Sequence, residues 1–161
     1  DLTREDGGYG LVLRGRGDGT FEAWDPHDSG IRVFGEQRGA ALGDFDHDGR
    51  LDVVISQNHG ATRLFRNRAA VPGLRVVLKG TPGNPDGVGA ELRLEAGQGR
   101  FGPMQTVGAG SGYWSQDSAV RILTPVNNAV ALRVRWPNRP EQRLPLNPSQ
   151  TTVEVSPPPV P

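Results

Sequence analysis

The chain has 161 residues, enough for one ordinary domain or two small ones with a buried core. Its 18 Lys and Arg balance 18 Asp and Glu, and a formal net charge of zero argues against nucleic acid or an anionic membrane as the main partner. No run of about twenty apolar residues is present to insert into a membrane, and the absence of cysteine excludes disulfides, thiol catalysis and cysteine metal sites.

Glycine (23) and proline (14) together approach a quarter of the chain without a collagen-like period. The apolar residues between them alternate, as in short strands joined by turns. In chain order, strands are expected at "YGLVLRG" (9–15), "TFEAW" (20–24), "LDVVIS" (51–56) and "TRLFRN" (62–67). Four more follow at "LRVVLKG" (74–80), "GAELRLEA" (89–96), "AVRIL" (119–123) and "AVALRVRW" (129–136). "ELRLE" and "ALRVRW" put apolar side chains on one face and charges on the other, the pattern of an antiparallel sheet with one wet side. Trp136 is expected in the core, with the arginines of "RVRW" on the wet face. No stretch of about twelve residues has a convincing helical period, so the fold class is all-β.

"GDFDHDGRLDVVI" (43–55) carries the chemistry. Asp44, Asp46 and Asp48 have the one–three–five spacing of a calcium loop, Gly49 stands at the sixth position, Arg50 at the seventh offers a carbonyl, and Asp52 stands at the ninth. Carboxylates this close repel unless a cation or water screens them, and a hard cation taking six to eight oxygens suits the set. Phe45 is expected to face a core. The twelfth position, a bidentate Glu in an EF-hand, is Ile55, and both flanks read as strands. The expectation is therefore a calcium-bound turn between two strands. A solvated acidic turn without metal competes with it. An aspartate nucleophile of the phosphatase type is disfavoured by Asp48, which would repel a phosphate, and by the lack of a βαβ pattern.

Residues 17–67, from "GDGTF" through the acidic loop to "RLFRN", resemble an FG-GAP or VCBS-type repeat, one blade of an integrin-like β-propeller. The resemblance implies calcium held by Asp44, Asp46, Asp48 and Asp52 with the Arg50 carbonyl. "GLRVVLKGTPGNPDGVGAELRLEAG" (73–97), "VGAGSGYWSQDS" (107–118) and "ALRVRWPNRPEQRL" (131–144) resemble an ASPIC/UnbV domain. That domain follows FG-GAP repeats in secreted or cell-surface proteins, including relatives of cartilage acidic protein. Where the family continues into a His-Phe-Gly-Leu-Gly-like segment, this chain has "VRILTP" (120–125).

The expected organisation is a propeller-type blade at 1–70, an antiparallel β-sandwich or barrel-like domain at 71–155, and a Pro-rich, poorly ordered tail at 156–161. One blade alone exposes sheet faces and edges, so either this is the C-terminal piece of a longer propeller protein with neighbouring blades, the favoured expectation, or the lone repeat packs on the second domain or another chain. The function this implies is a non-catalytic secreted, cell-surface or envelope binding module with structural calcium and a protein or carbohydrate partner. The alternative is an UnbV-like enzyme or accessory factor with a site near residues 111–117. Ser111, Tyr113, Trp114 and Gln116 are candidate ligand-binding residues, since the two rings offer stacking surfaces. The competing expectation, the favoured one, is a glycine-rich hairpin that buries Trp114. The Arg-Gly-Asp tripeptide at 16–18 reads as a chance match within a turn, and His27, His47 and His59 lack zinc-site spacing.

Overall fold

A computed structural model describes residues 7–125 and 127–159. The first six residues of the expected blade, and Val160 and Pro161 of the expected tail, lie outside the described residues.

The N-terminal part begins with a hairpin of β1 (Val12–Gly15) and β2 (Phe21–Trp24). The Arg-Gly-Asp tripeptide forms its turn, with both charges engaged locally: Arg16 pairs with Glu22 at 2.8 Å, and the Asp18 carboxylate accepts from the Thr20 amide and hydroxyl. After one helical turn, α1 (Pro26–Ser29), the chain enters an antiparallel sheet of β3 (Gln37–Gly43), β4 (Asp52–Gln57) and β5 (Gly60–Phe65). Few apolar side chains of this N-terminal part are covered. Val33 and Ile55 are buried, while Leu11, Phe21, Phe34 and Leu64 stand exposed.

The C-terminal part holds the core. β6 (Leu74–Leu78) lies between β10 (Arg121–Leu123) and β13 (Thr152–Val155) in one sheet. The segment that departs from the family pattern thus supplies an edge strand, β10. A second sheet contains β7 (Glu91–Ala96), β8 (Arg100–Phe101), β9 (Gln105–Thr106), β11 (Ala129–Arg135) and β12 (Gln142–Pro145). Leu92 and Leu94 of β7, Leu132 and Val134 of β11, and Val76, Leu123, Val153 and Val155 of the other sheet form one cluster. Trp136 joins this cluster and donates its indole N–H to Gln142 at 2.7 Å. The sheets stay open, with no closed barrel among the described residues.

One pairing in the sandwich, that of β13 with β6, is parallel, which the long connection between them permits. Two expectations are corrected. Trp114 is 86% exposed instead of buried. Its backbone is left-handed (φ 52°) in a Gly112–Ser115 turn, and that turn lies on the edge of β3, outside the sandwich. The Ser118 amide donates to the Leu42 carbonyl and the Asp117 carboxylate accepts from the Leu42 amide, both at 2.8 Å, so the loop caps an edge that would otherwise offer free pairing groups. The tail, expected to be poorly ordered, is tied down at residues 156–159: Gln142 donates to the Ser156 carbonyl and Arg139 to that of Pro158.

On the wet face of the second sheet, Glu95 accepts from Arg133 at 2.6 Å and from Arg143 at 3.0 Å. Hydrogen bonds from Arg143 and then Arg133 outweigh burial and hold its carboxyl below the usual glutamate value. A depressed folded-state value means the network stabilises the fold above the ordinary glutamate range and loses that contribution as pH falls through it. The melting-temperature gap between the wild type and Glu95→Gln should therefore stay level from about pH 7 to about pH 5 and shrink only below that. A gap that is constant with pH would remove Glu95 as the source.

Candidate metal centre

The loop between β3 and β4 folds back sharply because two residues take left-handed backbone, His47 (φ 61°) and Gly49 (φ 80°). At Gly49 a side chain would also meet the Gly73 carbonyl at 3.1 Å and Pro72 at 3.2 Å. The loop thus packs directly on the start of the second unit, and the Gly73 amide donates to the Gly49 carbonyl at 2.8 Å.

This turn brings Asp44, Asp46 and Asp48 together, with one carboxylate oxygen from each lying within 4.8 Å of the others. The Asp44 side chain is 1% exposed. Its Oδ2 accepts from the Gly49 amide at 3.2 Å, while its Oδ1 is buried with no hydrogen-bond partner. Three guanidinium groups surround the trio. Arg66 pairs with Asp46 and lies 3.5 Å from Asp48, Arg50 pairs with Asp48 at 2.8 Å, and Arg75 lies 3.5 Å from Asp44. Burial pushes the Asp48 carboxyl up, but hydrogen bonds from the Arg50 side chain and amide, with the charges of Arg50 and Arg66, hold it below its ordinary value.

Asp52 sits apart from this trio. It is 2% exposed, and its two oxygens accept from the Phe45 amide at 3.0 Å and the Asn67 amide at 2.8 Å. It pins the loop to the chain leaving β5. Arg50 enters through its side chain, which also donates to the Ala70 carbonyl at 2.6 Å. Phe45, expected to face a core, is 73% exposed, pointing away from the side on which the loop meets Pro72 and Gly73. Arg66 and Arg75 had no local signal: the first follows β5 and the second lies in β6, and only the tertiary fold brings them to the acidic loop.

The trio suits a hard divalent cation. All its donors are carboxylate oxygens, and a buried oxygen without a partner is costly unless something takes its lone pairs.

The second candidate set lies on the loop capping β3. Tyr113 and Trp114 are exposed side by side, ring centroids 5.8 Å apart at 34°. The Ser111 hydroxyl accepts from the Asp117 amide at 2.7 Å, and Asp117 is committed to Leu42, so these groups shape the loop. No nucleophile–base pair forms here among the described residues.

No curated protein matches the chain. Residues 2–55 match an FG-GAP-like repeat, which contains the β3–β4 loop. Residues 80–160, half of the chain, match the ASPIC and UnbV family, and they span most of the sandwich. With the acidic loop inside the first match and most of the sandwich inside the second, the chain belongs to the ASPIC and UnbV family and carries an FG-GAP-like repeat ahead of that domain.

Proposed function

We propose that the protein is a non-catalytic binding module of extracellular type, with a blade-like unit at 1–70 and an ASPIC/UnbV unit at 71–155. A calcium ion on Asp44, Asp46 and Asp48 fixes the junction between the two. The observation that carries this reading is the buried, unpartnered Asp44 oxygen within the carboxylate trio. A divalent cation supplies that oxygen with the partner it lacks, and because it binds the folded state it adds stability. The exposed apolar side chains of the first unit give neighbouring repeats of the same kind a face to cover. Tyr113 and Trp114, held out by a braced loop, suit a protein or carbohydrate partner.

Calcium at about 100 times its dissociation constant should add about 2.7 kcal/mol and raise the melting temperature by about 5–10 °C. Asp46→Ala should abolish the shift, and chelator should reverse it. An unchanged melting temperature across millimolar calcium would refute the calcium assignment.

A further inference from the structure

A cavity of about 690 Å³ opens where the acidic loop meets the end of the sandwich. His47 to Gly49 form one side, Leu74, Leu94 and Leu146 give it an apolar floor, and residues 147–152 form the far rim. Its size falls in the range of about 300–1,000 Å³ typical of small-molecule sites.

Arg75 lines this cavity and is only 20% exposed. Among the described residues its guanidinium makes no hydrogen bond: Nε is buried without a partner, and its one charged neighbour is Asp44 at 3.5 Å. A guanidinium carries five N–H donors in a planar fork, and with Nε 3.5 Å from Asp44 the Nη donors of Arg75 are left without a hydrogen-bond partner among the described residues. A carboxylate answers that fork with two parallel hydrogen bonds. Incoming negative charge meets no net repulsion, since Arg50, Arg66 and Arg75 balance Asp44, Asp46 and Asp48. Around the rim, the side chains of Asn128, Asn147 and Ser149 make no hydrogen bond among the described residues. They offer amide and hydroxyl groups to a polyhydroxylated ligand, while the leucine floor suits the C–H face of a sugar ring.

We propose that this cavity binds a sugar acid, a hexuronate whose carboxylate is held by Arg75 and whose hydroxyls meet Asn128, Asn147 and Ser149. The site goes beyond the calcium assignment and does not rest on it.

The test is calorimetric titration of the full chain with D-galacturonate, trigalacturonate and neutral D-galactose, each in calcium and in chelator. Saturable galacturonate or trigalacturonate binding in either buffer, at least tenfold tighter than galactose, is expected. Tighter binding of the trimer would identify a polysaccharide as the source, and equal binding a free sugar acid. Arg75→Gln should weaken uronate binding at least tenfold, and Arg75→Lys, which keeps the charge without the fork, should lose part of it. Because Arg75 also meets the loop, Ser149→Trp on the exposed rim provides a second variant that blocks the cavity without touching that contact. Absence of uronate binding in both buffers, equal binding of galactose, or full affinity in folded Arg75→Gln and Ser149→Trp would overturn the proposal. The calcium-dependent melting shift, measured in parallel, reports separately on the metal loop.

Discussion

Asp52→Ala is expected to cost about 3–5 kcal/mol, as the loss of two charge-assisted hydrogen bonds and the stranding of their donors. Asp52 is almost fully enclosed, and each of its oxygens serves a different backbone amide, Phe45 at the start of the acidic loop and Asn67 beyond β5. Truncation leaves both amides without an acceptor, one in the loop and one in the strand exit, so the β3–β5 sheet should loosen as a unit. Asp52→Asn, which keeps one oxygen, should cost less. Urea unfolding in chelator is the informative measurement, because the staple operates without metal. Should Asp52→Ala match the wild type in chelator and lose only the calcium-induced gain, Asp52 would be a metal ligand and not a staple.

Leu92→Ala is expected to cost about 2–5 kcal/mol, a large part of a total stability of about 5–15 kcal/mol. Leu92 is fully buried in the cluster that joins the two sheets of the C-terminal unit, and its register partner in β11 is Val134, also fully buried. Close-packed neighbours on both sides leave little room for the cavity to collapse. Leu11→Ala, at a side chain 69% exposed in the first unit, should change stability by no more than about 0.5 kcal/mol. Comparable effects at the two positions would mean that the core is not where the sandwich places it.

These two residues also show how legibility differed along the chain. Leu92 could be placed inward from sequence because the alternation in "ELRLE" continues over five residues and a strand has only two faces. Asp52 could be counted within the acidic spacing but not assigned its partners. One of them, Asn67, lies fifteen residues away and is brought close only by the β4–β5 hairpin.

The sequence by itself determined the all-β class, the inward faces of β7 and β11, the sharp turn at Gly49 and the convergence of Asp44, Asp46 and Asp48. Each of these follows from short-range periodicity or from backbone demands within a few residues. The tertiary structure alone decided the parallel seat of β13, the outward display of Trp114, the exposure of Phe45, and the placing of Arg66 and Arg75 beside the carboxylates. Those outcomes depend on which surfaces meet after the chain has folded. A guanidinium on β6 carries no mark in its own neighbourhood of the aspartate, thirty-one residues earlier, that it will face.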